Sequence, residues 1–505
     1  MKKIAQTDKQ KPKRNRIAIL GLGRVGKLVA KYLLNKGEEV YIYDDNPEIF
    51  QNKDIRQFIQ NPNCVVMTKK TARLVANQIV LAICSPGIGP KNPVVKILAR
   101  SKIPVIDEID FTSLEITRVA FSNHQFISHK PIIALSPNTT ISSYYSFISK
   151  NKIDFSKTLK INLGASPKII AITGTNGKST ATVLLGKILS TAGKRIFYGG
   201  NLAPGLPFAQ VLFEPLQDYY VIEVSSFQLE RSFYFHPHIA ILLNITPDHL
   251  NRHQTLKQYR EIKFRIFANQ SSKDYAIINA DDNAITVYTD KIRSRIFYFS
   301  RNHKTNGAYL DGDNIYFQDE KICSRRDIKL LGEHYWDSVL AVITAAKFLK
   351  IDNKSIVEVL KKFQGLEHRL EYVRTIGGVK YINNSMCTNP AAGVAALNVF
   401  SEPMVLITGG AEKKLNVKEY INTIVKKAKW TVLLGENRKR LALMLKNKGY
   451  FNFSLANSLK EAVMIAKNKA VRGDLILFSP GFASFDAFRD FQERGNAFKT
   501  IVNNL

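Results

Sequence analysis

Short apolar runs alternate with helix-like segments along nearly the whole chain, and this alternation constrains the fold more than any other feature. The first unit reads as a strand at 17–20, a glycine turn, a helix at 28–34 and a second strand at 40–43. Strands that alternate with helices pair in parallel, because each helix carries the chain back across the sheet. Further series begin at 168–172 and near 379–382, which indicates an α/β protein with several parallel sheets.

The three series predict three domains, the number favoured for 505 residues at about 150 residues per domain. We predict a basic, disordered tail at 1–15, a Rossmann-like domain at 16–104, a central α/β domain at 105–367 and a second Rossmann-like domain at 368–505. Residues 111–165 show no clean hydrophobic period. We interpret them as an insertion in the central domain or as a long linker.

Composition excludes several protein classes. The net charge of +31 would suit a nucleic-acid binder, but the lysines are spread through the chain, and we interpret them as a composition bias that also attracts anionic substrates. No run approaches the roughly 18 apolar residues of a membrane span, and residues 1–15 lack the apolar segment of a secretory signal. The four cysteines form no C-x-x-C pair, which argues against a disulfide frame or a zinc cluster.

The strongest local signal lies at 171–180, AITGTNGKST, between a predicted strand and a predicted helix. Small residues let backbone N–H groups surround phosphate oxygens, and the N-terminus of the following helix favours negative charge. Lys178 can reach the terminal phosphates of a nucleotide, and Ser179 or Thr180 can reach a magnesium ion. Ile172 stands where a general P-loop has its first glycine, but the strand–loop–helix context favours nucleotide binding.

A carboxylate that could serve such a metal ends the apolar run 219–223. Burying an unpaired Glu223 is costly, so a cation partner is expected, and magnesium is commonly held by one or two carboxylates plus phosphate oxygens. A glutamate at a solvated strand end would explain the residue equally well, but the neighbouring P-loop favours the metal. Asp248 and His249 follow the strand at 239–244, on the side where open α/β sheets bind ligands.

The turn at 21–26, GLGRVG, has the G-x-G-x-x-G form, and Asp44 follows the next strand. This geometry holds a pyrophosphate at a helix N-terminus, with the acidic residue on a ribose or another hydroxyl. A dinucleotide is one interpretation, although a separate ATP loop makes a plain dehydrogenase a poorer one. His236 and His238 have the spacing of some metal sites, but no carboxylate or cysteine set accompanies them.

Together these motifs resemble the Mur ligase family, and its D-glutamate-adding members most closely. The match runs in order through most of the chain, and SSFQLE at 225–230 and ASFD at 483–486 are characteristic of those members. The matching segments are 21–26, 85–88, 174–180, 200–201, 223–230, 244–250, 259–267, 279–282, 367–369, 409–413, 479–486 and 491–495.

The resemblance implies a UDP-sugar-binding N-terminal domain, a central ATPase domain and a glutamate-binding C-terminal domain. It implies a ligase that uses ATP and Mg²⁺ to add D-glutamate to UDP-N-acetylmuramoyl-L-alanine through an acyl phosphate, in peptidoglycan precursor synthesis. We expect a cytoplasmic monomer that binds no nucleic acid and spans no membrane. The alternatives are a ligase with another acceptor or with L-glutamate, and a catalytically weak nucleotide-binding homologue.

The resemblance also implies a role for individual residues, with Lys178, His249 and Lys263 as the catalytic set. Lys263 is carbamylated in the family, which turns a cation into a carboxylate-like group. The implied UDP-sugar site comprises Arg24, Val25, Asp44, Gly87, Asn201 and His249. The implied ATP site comprises Gly174, Thr175, Asn176, Gly177, Lys178, Ser179, Thr180, Asn279 and Arg369. The implied metal ligands are Ser179, Thr180, Glu223, His249 and Lys263, and the implied glutamate site comprises Thr388, Lys413, Ser484, Phe485 and Phe491.

Two family motifs are altered in this chain. At 383–389, NNSMCTN, Asn384 replaces an aspartate linked to the nucleotide and Met386 replaces a lysine. An asparagine still accepts a hydrogen bond but supplies no charge. At 332–338, GEHYWDS, both asparagines of the family's G-x-H-N-x-x-N are lost. These changes concern the nucleotide edge and the domain hinge and leave the phosphate and metal residues intact.

Overall fold

A computed structural model describes residues 16–122, 168–202, 205–330, 335–412 and 416–505. The described residues divide into two compact units. One contains those up to Asp327 together with Tyr335–Lys361, and the other contains those of 328–334 together with Lys362–Leu505. The three large sheets are parallel or mostly parallel, which confirms the predicted α/β class. The predicted basic tail lies outside the described residues.

The first unit begins with a five-stranded parallel sheet of order β3-β2-β1-β4-β5. Its central strand is covered on both faces, and each residue from Ile17 to Leu20 is at most 1% exposed, as the apolar run predicts. A Cβ on Gly26 would lie 1.8 Å from the oxygen of Gly21, so the turn requires glycine there. The elements are β1 Arg16–Leu20, α1 Arg24–Asn35, β2 Glu39–Tyr43, α2 Lys53–Ile59, β3 Cys64–Val66, α3 Thr71–Val75, β4 Ile79–Cys84, α4 Pro93–Arg100, β5 Val105–Asp107 and α5 Glu108–Ser122.

The same unit contains a six-stranded parallel sheet of order β11-β10-β9-β6-β8-β7 and a small antiparallel sheet of order β12-β13-β14. The strands are β6 Lys168–Thr173, β7 Ile196–Gly200, β8 Tyr219–Glu223, β9 Ile239–Leu242, β10 Tyr275–Asn279, β11 Arg295–Phe299, β12 Ala308–Asp311, β13 Asn314–Phe317 and β14 Glu320–Ser324. The helices are α6 Lys178–Thr191, α7 Ser226–Leu229, α8 Leu250–His253, α9 Leu256–Phe264, α10 Asn283–Thr286, α11 Trp336–Phe348 and α12 Asn353–Lys362.

The second unit is built on a six-stranded sheet of order β15-β16-β20-β17-β18-β19, in which only the β15–β16 pair is antiparallel. Separate apolar clusters, one around Tyr420 and one around Phe498, cover its two faces. The strands are β15 Glu371–Ile376, β16 Val379–Asn383, β17 Met404–Gly409, β18 Ala428–Leu434, β19 Phe453–Leu455 and β20 Leu475–Phe478. The helices are α13 Pro390–Leu397, α14 Lys418–Lys427, α15 Arg438–Lys446, α16 Leu459–Lys469 and α17 Phe491–Asn503.

Helix α5 lies between the two large sheets of the first unit. Phe111 and Leu114 belong to the core of the first sheet, whereas Ile109 and Ile116 belong to the core of the second. A helix that is buried on two sides carries apolar residues around most of its circumference, so it lacks the one-sided period of a surface helix. This explains why the start of the predicted insertion showed no clean pattern. Residues 123–165 of that insertion lie outside the described residues, and the predicted domain boundaries stay predictions.

Within the described part of the chain, we find no helix that combines the length and the apolar character needed to cross a bilayer.

A buried carboxylate at the start of α5 joins this helix to the second sheet. Asp110 accepts hydrogen bonds from the hydroxyl of Ser232 at 3.0 Å and from the backbone N–H groups of Phe233, Tyr234 and Phe235 at 2.7, 3.2 and 2.9 Å. Burial raises the pKa of Asp110 to about 6, and the four donors oppose that shift. Above pH 7 the carboxylate is therefore ionised and satisfies all four donors.

We predict that Asp110→Asn destabilises the first unit, because the amide turns an N–H₂ group toward these donors and leaves some of them unpaired. The loss should be about 3 kcal/mol, which lowers the melting temperature by about 5 °C. The control is Asp218→Asn, which breaks an exposed ion pair with Arg195 and should shift the melting temperature by less than about 1 °C. Both are measured by scanning calorimetry at pH 8. Equal melting temperatures for the two variants would refute the role of Asp110.

Candidate active site

The P-loop connects β6 to α6 and has a backbone that requires glycine. Gly177 has φ +82°, and a Cβ there would lie 2.6 Å from the hydroxyl oxygen of Ser338. No side chain caps the N-terminus of α6, so its first N–H groups are available to an anion. The Lys178 ammonium donates to the carbonyl oxygens of Gly174 at 2.9 Å and Thr175 at 2.8 Å. The predicted lysine therefore lies over the predicted loop.

Glu223 lies beside this loop because β8 pairs in parallel with β6, so that Ile172 and Glu223 are partners at the carboxyl ends of the two strands. The residue is 3% exposed. Its carboxylate accepts hydrogen bonds from Ser179 Oγ at 2.6 Å and from Asn201 Nδ2 at 3.1 Å. The structure thus brings together three predicted site residues that lie up to 44 positions apart in the sequence.

Lys263 reaches the same place from α9. The side chain is buried, and its ammonium donates to Gly174 O at 2.8 Å, the carbonyl that also accepts from Lys178. Burial and the charge of Lys178 hold the pKa of Lys263 well below its usual range, against the opposing effect of Asp248 and Glu223. This shift increases the fraction of neutral amine, which is the form that reacts as a nucleophile.

His249 lies on the loop after β9, with a left-handed backbone at φ +53°. Its ring is half exposed, 3.4 Å from the carboxylate of Asp248 and 4.8 Å from the ring centre of Phe227. Tyr259, whose ring also lies next to His249, shares a 3.3 Å hydrogen bond with the hydroxyl of Thr175 in the P-loop. Side-chain contacts thus connect the predicted histidine to the predicted phosphate loop.

Four of the predicted UDP-sugar residues, Arg24, Val25, Asp44 and Gly87, lie at the carboxyl edge of the first sheet, whereas Asn201 and His249 follow β7 and β9 of the second sheet. The guanidinium of Arg24 donates to the carbonyl of Gly205, which brings the glycine turn next to the loop that follows Asn201. Asp44 accepts from the backbone N–H of Leu22 at 2.7 Å, so it stabilises the turn itself. Val25 is half-buried against the core of the sheet, and Gly87 is exposed on the turn after β4.

Sequence reasoning missed the partner of the P-loop amide. Asn244 accepts from the backbone N–H of Asn176 at 2.8 Å and donates to its carbonyl at 3.3 Å. The signal was present, because Asn244 follows a parallel strand at the edge where Asp248 and His249 were predicted to lie. The predicted nucleotide residue Asn279 is buried at the same edge. Its amide donates to Leu243 O at 3.1 Å and accepts from Asp281 N at 2.9 Å.

Thr388 and Ser484, two of the predicted glutamate residues, lie on loops of the second unit that a buried arginine joins. Arg494 donates to Ser385 Oγ at 3.1 Å, to Ser385 O at 2.9 Å and to Phe482 O at 3.0 Å. It thereby holds the segment before Thr388 against the segment before Ser484. Burial lowers the pKa of Arg494 to about 10, so the guanidinium still carries its charge at neutral pH.

Of the remaining predicted residues in this unit, Ser484 is buried and Phe485 is 70% exposed. Phe491 begins α17, and its carbonyl accepts from Ser385 Oγ at 2.8 Å. Arg369 is half-buried on the loop before β15. The prediction for Lys413 falls outside the described residues.

Three family models match successive parts of the chain. The matched models are the Mur ligase MurD-like N-terminal domain at residues 15–107, the Mur ligase middle domain at 172–346 and the Mur ligase glutamate ligase domain at 368–482.

Related sequences match this chain over nearly its full length. A UDP-N-acetylmuramoylalanine–D-glutamate ligase from Pelotomaculum thermopropionicum is 33% identical over 497 residues, covering 97% of this chain and 98% of the relative.

The chain belongs to the Mur ligase family.

A ligase of the same name from Caldicellulosiruptor bescii is 34% identical over 498 residues, covering 97% of each chain. Among solved structures, a UDP-N-acetylmuramate-alanine ligase from Thermotoga maritima superposes with a TM-score of 0.52 at 17% identity, over 97% of this chain and 99% of that one, and so shares the fold. Mur ligases are ATP-dependent amide ligases, and this chain is an enzyme of that class.

The altered Mur ligase motifs have clear structural partners. Asn384 donates to Ser479 Oγ at 3.0 Å and accepts from the N–H of Leu370 at 3.2 Å, so its amide helps to fold the second unit. Ser338 replaces a family asparagine and donates to the carbonyl of Gly177 at 3.1 Å. One altered position therefore directly supports the P-loop backbone.

The two histidines with metal-like spacing have a structural role. His236 lies 2.9 Å and His238 lies 3.4 Å from the carboxylate of Asp274. Burial alone would raise the pKa of Asp274, but the two histidines and Ser271 outweigh it and hold that pKa well below its usual range. Among the residues that the structure describes, no three His, Cys, Asp or Glu side chains are grouped to hold a metal ion.

We predict that Lys178→Ala abolishes phosphate release from ATP, by at least about 100-fold, because it removes the cation that lies over the phosphate loop. The matched control is Lys187→Ala, which removes an exposed lysine from the same helix and should leave turnover unchanged. Turnover is measured as phosphate released with all substrates saturating, and circular dichroism checks that both variants fold. Undiminished turnover of Lys178→Ala would contradict the assigned role.

Proposed function

We propose that this enzyme joins D-glutamate to UDP-N-acetylmuramoyl-L-alanine and converts ATP to ADP and phosphate, a step of cell-wall precursor synthesis. Relatives that carry the name of this ligase match the chain almost from end to end, and its N-terminal domain matches the MurD-like model. The observation that carries the proposal is the convergence of Lys178, Ser179 and Glu223 at one sheet edge.

We assign the triphosphate to the P-loop. The N–H groups of residues 174–180 and the α6 N-terminus would surround the phosphate oxygens, and Lys178 would leave its carbonyl partners to neutralise the β- and γ-phosphates. Asn279 and Arg369 would contact the rest of the nucleotide. Because Asn384 and Ser338 are engaged within the fold, we expect the altered motifs to preserve the shape of the site.

The donor set fits magnesium. Ser179 and Glu223 supply hard oxygen atoms 2.6 Å apart, and a protein that offers few ligands of its own suits an ion that keeps phosphate oxygens and water. Ser179, Thr180 and Glu223 would hold one ion, and His249 with carbamylated Lys263 would hold a second. When bound, these ions would offset the negative charge that the triphosphate brings.

The reaction then runs in two steps. A carboxylate oxygen of the L-alanine residue attacks the γ-phosphorus of ATP, and ADP leaves, which gives an acyl phosphate. The neutral amine of glutamate attacks the acyl carbon, and the tetrahedral intermediate expels phosphate as the amide forms and the amine loses its proton. Lys178 would stabilise the charge on the transferred group, and Asn201 and His249 would orient the acceptor.

We assign the remaining predicted residues to the UDP-sugar and to glutamate. Arg24, Val25, Asp44 and Gly87 would hold the UDP-sugar at the edge of the first sheet. The glutamate side would comprise Thr388, Lys413, Ser484, Phe485 and Phe491, with Lys413 as the charge partner of a carboxylate. We also propose that the enzyme acts as a monomer in the cytoplasm, where ATP is made available to biosynthesis.

We predict that the purified enzyme releases phosphate only when UDP-N-acetylmuramoyl-L-alanine and D-glutamate are both present, because the acyl phosphate forms on the first and is consumed by the second. A coupled phosphate assay with each substrate omitted in turn, and with L-glutamate in place of D-glutamate, tests this.

Turnover with another acceptor, but none with this pair, would show a Mur ligase of different specificity. ATP binding without turnover under any of these conditions would show a nucleotide-binding homologue. Preference for L-glutamate would correct the stereochemical assignment alone.

A further inference from the structure

The short helix α8 holds His249 in a conformation that a histidine seldom adopts. The left-handed backbone at φ +53° is unfavourable for a residue with a Cβ, so its surroundings must stabilise it. Backbone N–H groups of Arg252 and His253 both donate to the carbonyl of His249 at 3.0 Å. The orientation of His249 is therefore coupled to the positions of Arg252 and His253.

Glu230 contacts the side chains of Arg252 and His253 in that turn. Its carboxylate accepts from Arg252 Nε at 3.1 Å and from Arg252 Nη2 at 2.7 Å, a two-point ion pair. Its other contact is His253, whose Nδ1 lies 3.3 Å away. The Glu230 side chain is only 12% exposed, so solvent screens these interactions weakly.

Phe227 and Ser226 make further contacts with His249 and the α8 turn. The ring of Phe227 lies 4.8 Å from that of His249, 5.5 Å from that of His253 and 4.5 Å from the guanidinium of Arg252. Ser226 Oγ lies 2.9 Å from His253 Nε2, a hydrogen bond in the buried interior. Segment 226–230 therefore contacts α8 through three of its five side chains.

This segment is itself firmly anchored. It follows Glu223 directly at the end of β8, and Ser225 and Gln228 form a reciprocal capping box at the start of α7. Gln228 also donates to the buried carboxylate of Glu108 at 3.1 Å, and Arg265 donates to the carbonyl of Glu230 at 3.0 Å. A rigid element thus carries both the predicted metal carboxylate and the residue that holds the His249 turn.

We propose that Glu230 is a positioning residue: through Arg252 and His253 it fixes the α8 turn, and with it His249, at a set place relative to Glu223. Glu230 touches neither nucleotide nor acceptor in this proposal. It acts on the reaction through His249, and the proposal therefore rests on the proposed function of that residue toward the muramoyl-alanine group and the second ion.

Glu230→Gln is the sharpest test, because the amide keeps the shape of the side chain but loses the charge that pairs with Arg252. Its matched control is Asp218→Asn, which removes a carboxylate–arginine pair just before β8, where Asp218 lies 2.7 Å from Arg195. Steady-state kinetics with the full-length protein give KM for each substrate and the half-saturating Mg²⁺ concentration, and scanning calorimetry gives the melting temperature.

We expect Glu230→Gln to raise both KM for UDP-N-acetylmuramoyl-L-alanine and the half-saturating Mg²⁺ concentration roughly tenfold, while KM for D-glutamate changes less than about twofold. Asp218→Asn should leave all three values unchanged. Wild-type values in Glu230→Gln would overturn the proposal, and so would a parallel rise of KM for D-glutamate, which indicates a general loss of structure.

If Glu230→Gln does not fold, Arg252→Lys decides, since it keeps the charge but loses the two-point contact. The same two constants should then rise several-fold, and unchanged constants would overturn the proposal.

If wild-type protein shows no turnover with this substrate pair, the proposed function fails by itself. A crystal structure of Glu230→Gln then tests the positioning: His249 should leave the left-handed region, and retention of its wild-type backbone would overturn the proposal.

Discussion

The parallel pairing of β6 with β8 is the constraint on which the candidate site depends. It sets the P-loop beside Glu223, so a loop built for phosphate and a buried carboxylate share one edge. Each charge there is costly to bury alone, and each has partners: the carboxylate has Ser179 and Asn201, and two lysines converge on the carbonyl of Gly174. The fold itself therefore holds the phosphate loop, the buried carboxylate and two lysines close together.

Much of this could be predicted from the sequence, because the decisive signals are local. Apolar runs identified the central strands, and the glycine-rich turn after one of them identified the phosphate loop with Lys178. Helix α6 begins at Lys178, inside the segment 171–180 that was predicted to lie before the helix, because Ser179 and Thr180 adopt helical geometry although they resemble loop residues. Glu223 could be predicted as a site residue because burying a carboxylate without a partner is costly.

Other features were hidden because they depend on contacts between distant segments. Asn244 supports the P-loop across 68 positions. Arg494 joins two loops: its contact with Phe482 spans 12 positions, and its contact with Ser385 spans 109. Neither residue belongs to a local motif that reveals its partner. The antiparallel pair β15–β16 was missed although its signal is local, because only Gly377 and Gly378, both with positive φ, join the two strands as in a tight hairpin. The roles assigned to individual site residues stay proposals.

Helix α5 has a consequence for how the first unit holds together. Phe111 and Leu114 complete one core while Ile109 and Ile116 complete the other, and Asp110 between them binds the backbone after α7. A fragment cut at residue 104 would lose Phe111 and Leu114 from its own apolar interior and leave these two side chains exposed on the neighbour. The two sheets should consequently melt in one cooperative transition, because α5 belongs to the cores of both.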